Sequence, residues 1–138
     1  MFFDEFYFHR RRGLPLWERV GHPLDTSTVL LCYLYLFFEN YSPLHLEGYL
    51  VLLAFSCFFV TKDEWIHKKN CEAGEQWLHS LLFILHPVTL LLLILPWSLP
   101  HDYGWMIPFL KIQFFIILAF GTYQIIYWNF LCKTELET

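Results

Sequence analysis

Basic residues are scarce in this chain: nine lysines and arginines against thirteen aspartates and glutamates leave a formal charge of −4. The one basic tract, Arg10 to Arg12, is too short to follow a phosphate backbone, so no nucleic acid is expected as a partner. Glycine is scarce too. Its six copies form neither a phosphate-cradling loop nor a GxSxG elbow, which argues against nucleotide binding and serine hydrolysis; Ser80 merely neighbours His79. The four cysteines, Cys32, Cys57, Cys71 and Cys132, make no CxxC pair, and Cys32 and Cys57 lie inside apolar runs. They read as free thiols rather than a disulfide scaffold. Internal repeats, low-complexity tracts and linkers are missing as well, so residues 1–138 are expected to form a single domain.

Apolar residues are what the chain has in abundance. They make up 57% of it, with a mean hydropathy of +0.41. Fifteen Phe, eight Tyr and six Trp are more than one core of this size can hide from water, which makes lipid the second solvent. Four spans are predicted, at roughly 24–38, 46–63, 76–95 and 107–131. The first is short, because a helix needs about twenty residues to cross the hydrocarbon, so it is expected to recruit its flanks or to stop short of one interface. Residues 1–23 do not read as a signal peptide: aromatics broken by Asp4, Glu5 and three arginines suit an interfacial arm instead.

Orientation follows from the same few basic residues. Eight of the nine, Arg10–Arg12, Arg19, Lys62, Lys68, Lys69 and Lys133, fall on one side of the predicted spans, and Lys111 alone on the other. By the positive-inside rule both termini and the 62–75 loop are cytoplasmic. The expected fold is therefore an all-α, integral membrane four-helix up-down bundle. The expected location is a bacterial inner membrane.

One stretch breaks the apolar pattern. "KDEWIHKKNCEAGEQWLH", residues 62–79, gathers carboxylates and histidines at the mouth of an apolar helix. In an up-down bundle it shares one face with the start of the first span and the end of the fourth. His22 and Asp25, then Asp63, Glu64 and His67, then Glu75 and His79, and finally Gln124 and Tyr127 should meet there. At about 100° per residue Glu75, His79 and His86 fall within roughly 40° of each other, one stripe along a helix. Glu64 and His67 are three apart, Asp63 and His67 four apart, and His22 and Asp25 three apart. Glu-x-x-His is the pair that carboxylate-bridged di-iron and di-manganese bundles draw from their helices, and the likeness here is one of ligand pattern alone.

Imidazoles with carboxylates suit iron, zinc or manganese, and the metal in turn neutralises carboxylates that would be costly inside a membrane. The predicted metal ligands are His22, Asp25, Asp63, Glu64, His67, Glu75 and His79. His86 lies about 10 Å deeper than His79, too far to bind the same ion. Its options are a softer second site near Cys32, a proton relay, or a bond to Gln124 or Tyr123. His9, His45 and His101 lie outside the cluster, and nothing is expected of them. Haem ranks lower, since it needs paired histidines and small residues around the ring, and carboxylates crowd these histidines. The expected function is a metal-dependent oxidoreductase, iron first, acting on a lipid-soluble substrate such as an acyl chain or quinone. A zinc-dependent lipid hydrolase with Glu64 as general base is a close variant, and Glu64 and His86 are the catalytic candidates. The rival reading is a metal-ion or proton transport or accessory subunit without catalysis, within a homo-oligomer or a larger membrane complex. The bland alternative for the 62–75 stretch is a solvated loop.

Overall fold

The computed structural model describes residues 4–9, 14, 16–63 and 73–132. Among the described residues every element is a helix or a helical turn. The N-terminal turn Asp4–His9 precedes α1 (Leu16–Phe38), α2 (Pro43–Val60) and the short turn Thr61–Asp63. After these come α3 (Ala73–Leu92), the short α4 (Ile94–Ser98) and α5 (Pro100–Tyr103), and α6 (Ile107–Ile126), which a looser turn, Tyr127–Leu131, continues.

Proline and serine set most of these limits. Ser42 is extended, and its hydroxyl accepts the His45 N–H at 3.1 Å, so it caps α2 with Pro43 in the first turn. Pro100 and Pro108 likewise occupy first turns, where a missing N–H leaves no bond unmade. Pro96 has no N–H to offer the carbonyl four residues back, and the chain breaks at Leu93, between α3 and α4. His22-Pro23 marks no boundary. Helix α1 starts at Leu16 and runs through Pro23, with Glu18 in the first turn, where free N–H groups favour a carboxylate. Helix α1 thus begins eight residues before the first predicted span, 24–38.

Three helical stretches are long and apolar enough to cross a membrane: Pro43–Val60, Ala73–Ser98 and Pro100–Leu131. Only 17–22% of their apolar windows is buried inside the chain, so their remaining surface needs a non-aqueous neighbour. This is a membrane protein. Helix α1 is also long, 23 residues, but "GHPLDTST" makes its first half too polar to join that set.

Helix α1 packs against α6 and α2, and α2 against α3. Gly121 allows a close approach of α1 and α6: a Cβ there would stand 2.8 Å from Thr26 Cγ2. The buried core, which includes Cys32, Tyr33, Tyr49, Leu90 and Trp97, lies toward the far end of the molecule. Tyr49 donates its hydroxyl to the Leu90 carbonyl at 2.7 Å, beside the α3–α4 break. Trp97 donates to the Glu39 carbonyl at 2.8 Å, ringed by Tyr35, Tyr41 and Tyr49. The buried polar side chains Glu5, Glu18, Thr26, Glu75, His79 and Gln124 gather at the other end.

Candidate functional site

The polar end holds a cavity of about 160 Å³ with walls from four helices and the N-terminal turn. Helix α1 contributes His22, Asp25, Thr26 and Val29, and α2 contributes Val60 at its last turn. Helix α3 brings His79 and His86 with Leu82 and Phe83 between them; α6 brings Gln124 beneath Phe120 and Ile117. His22, Asp25 and His79, expected from the sequence to share one end, do border one space, and so does His86, which was expected deeper. Such a volume admits a few waters or the head of a small molecule, with greasy walls behind it.

Each polar wall is fastened. Asp25 Oδ1 is paired with Lys62 Nζ at 2.5 Å, and Lys62 also lies 4.3 Å from the centre of the Phe59 ring. The ammonium supplies the neutralising charge that the sequence reading assigned to a metal. His86 Nε2 meets Ser56 Oγ at 3.0 Å, and Ser56 Oγ meets Thr28 Oγ1 at 2.8 Å. Thr28 in turn donates to the Asp25 carbonyl at 2.8 Å. His86 is therefore held by a hydroxyl of α2, not by Gln124 or Tyr123. Cys32 is fully buried in the core and takes no part in the cavity wall, so it forms no soft site with His86.

A second network closes the opposite wall. Gln124 Nε2 donates to Glu5 Oε2 at 3.0 Å, and its Oε1 accepts from Thr26 at 3.4 Å. Glu5 Oε1 accepts from Trp128 Nε1 as well. Glu5 is 2% exposed and faces the cavity, while its neighbours Phe6 and Tyr7 stay exposed. The segment expected to lie flat at the interface thus sends one carboxylate into the protein. Sequence reasoning missed Glu5, Lys62, Ser56 and Thr28. The signal available for Ser56 was a hydroxyl inside an apolar helix; Thr28 ends the polar stretch of α1.

The other predicted ligands fall differently. Glu75 is buried in the first turn of α3 but does not border the cavity. At that position the helix N-terminus itself favours a carboxylate. Glu64 and His67 lie outside the described residues, as does the side chain of Asp63; Tyr127 stacks on Tyr123 at 5.2 Å between ring centres. His45 stays at the far end, bonded to the Asn40 carbonyl at 2.7 Å, and His101 is exposed. Among the described residues no three His, Cys, Asp or Glu side chains stand close enough to hold a metal ion.

No family model, curated protein or solved structure matches this chain. Function has to be argued from the cavity alone. Its walls offer imidazole and carboxylate groups over an apolar floor, an arrangement that can bind the polar head of a lipid-soluble molecule, hold a proton, or supply part of a metal's ligand set.

Proposed function

We propose that this chain is a four-helix, up-down membrane metalloprotein that acts on a lipid-soluble substrate at the cytoplasmic end, as an oxidoreductase. The observation that carries this reading is that His22, Asp25, His79 and His86 border one cavity in a chain whose other helical surface is apolar. His22 and His79 would hold the ion, iron first and zinc or manganese next, and Glu64 and His67 would complete the set. Glu64 and His67 lie outside the described residues, in the stretch of sequence between Asp63, which follows the last turn of α2, and Ala73, which begins α3. Glu75 and Asp25 would act through charge, since Asp25 already faces Lys62. A quinone or an acyl chain would enter between the apolar helices, with His86 as proton carrier. With zinc in the site, the same residues suit hydrolysis of a lipid ester or amide, with Glu64 as base. The proposed location is a bacterial inner membrane.

A second reading has its own support. The Lys62–Asp25 pair and the Ser56–His86 bond satisfy two cavity walls without any ion. That favours a proton-conducting, cation-conducting or accessory subunit, in a homo-oligomer or a larger membrane complex. Metal per protein separates the two, measured after matched purification of the native chain, His79→Ala and His101→Ala. The metalloenzyme reading requires one tightly held ion, lost in His79→Ala and kept in His101→Ala. Weak, exchangeable metal favours transport, and none at all favours the subunit. Equal tightly held metal in both variants would place any ion elsewhere and sink the His79 site.

A further inference from the structure

Counting protons fixes the state of His86. A hydroxyl carries one hydrogen, and the Thr28 hydroxyl is spent on the Asp25 carbonyl, which can only accept. The 2.8 Å contact between Thr28 and Ser56 is then a hydrogen bond only if Ser56 donates. Ser56 has no second hydrogen, so its 3.0 Å bond to His86 requires Nε2 to be the donor. Three bonds run in one direction, from imidazole to serine to threonine to backbone. His86 is thereby held in the tautomer with the proton on Nε2, and its lone pair is on Nδ1.

That second nitrogen is open. His86 borders the cavity, and no described group bonds Nδ1, which is also not among the polar atoms sealed inside the protein without a partner. Of the carboxylates around the cavity, both Glu5 oxygens receive donors and Asp25 faces Lys62. We propose that His86 Nδ1 is the acceptor for the cavity's occupant, and that this occupant carries a hydroxyl head on an apolar body, as a long-chain alcohol or quinol does. Ser56 and Thr28 are positioning residues that act by fixing the tautomer. The apolar body rests on the reading of the cavity as a lipid-facing site; the tautomer rests on the bonds alone and on no metal.

The test is nitrogen NMR of the full-length protein labelled with ¹⁵N-histidine, in bilayers, with His86 assigned by its loss in His86→Gln. The native chain should show a protonated Nε2 and a bare Nδ1. Ser56→Ala and Thr28→Val should give mixed tautomers, while Thr28→Ser, which keeps the hydroxyl, should keep the native spectrum and serves as the folded control. Adding dodecanol should move the Nδ1 resonance upfield, and dodecyl methyl ether, which has no donor, should not. A proton on Nδ1 in the native chain, or spectra unchanged in both hydroxyl-deleting variants, overturns the tautomer. Alcohol and ether acting alike overturns the hydroxyl-headed occupant. Metal content in His79→Ala is read separately, so failure of the metal centre and failure of this inference are distinguishable.

Discussion

At the scale of single residues, the histidines were legible and their partners were not. His22, His79 and His86 stand out because imidazoles are rare in apolar helices; alternating direction puts His22 and His79 at one end, and helical phase puts His86 on the same stripe as His79, though deeper. A partner's identity depends on helix rotation and rotamer, which composition does not encode. Ser56 and Thr28 look harmless, since hydroxyls are common in membrane helices and bond their own backbone cheaply. Glu5 was hidden for another reason: "MFFDEFYFHRRR" has the composition of a headgroup-layer arm, and nothing in it tells which carboxylate turns inward. Yet Glu5 receives donors from both Gln124 and Trp128 in a buried setting. Glu5→Ala strands both, and each stranded buried donor costs about 1–3 kcal/mol, so a loss of about 2–4 kcal/mol is expected. Glu5→Gln keeps one acceptor oxygen but turns an amide N–H toward a donor, so it should fall between. Unfolding in detergent measures the order, with exposed Glu47→Ala as the reference. Equal stability of Glu5→Ala and Glu47→Ala would mean that the N-terminal turn does not dock through its carboxylate.

At the scale of elements, α1 is the hub. Thr26 and Thr28 are two residues apart, roughly 200° around the helix, so one serves the α6 side and the other the α2 side. This explains why the helix with the least membrane character stands at the centre of the packing: its polar stretch "HPLDTST" is used on several sides at once. The start of α6 at Ile107 fell where the sequence put the fourth span, whereas α2 starts at Pro43, three residues before the predicted 46. The start of α1 was not legible, because Pro23 has the sequence signature of a first turn while the structure tolerates it one turn deeper, with one backbone bond lost. The α1–α6 seam depends on Gly121. A methyl at that position meets Thr26 Cγ2 at 2.8 Å, so Gly121→Ala should force the helices apart and cost about 1–3 kcal/mol. Thr26→Ser removes that methyl and keeps the hydroxyl for Gln124. The double variant should therefore recover most of the loss, whereas Gly104→Ala, where a Cβ meets nothing, should be near neutral. Strict additivity of the two substitutions would show that no clash exists at this seam.

At the scale of the whole molecule, the chain is polarised from end to end. The buried core around Trp97 and the tight proline turns occupy one end; the buried carboxylates, three histidines and the cavity occupy the other. The basic residues follow the same division in sequence, with Lys111 the single exception among nine. Lys62 follows the last turn of α2 at the cavity end, where its ammonium pairs with Asp25, and by the positive-inside rule a lysine just after a span favours the cytoplasmic side. If the proposed orientation holds, the cavity opens toward the cytoplasm, and any polar co-reactant must come from there. Single cysteines in a background without the native four decide it, read in sealed vesicles with a membrane-impermeant thiol reagent. Thr61→Cys and Ala73→Cys report the cavity end; Asn40→Cys and Asp102→Cys report the far end, and all four positions are exposed. In right-side-out vesicles Asn40→Cys and Asp102→Cys should react at once, and Thr61→Cys and Ala73→Cys only after permeabilisation. The reverse order would turn the molecule over and move its site to the outer face. Immediate reaction at all four would mean that these helices do not separate two compartments, and the spanning architecture would fall with it.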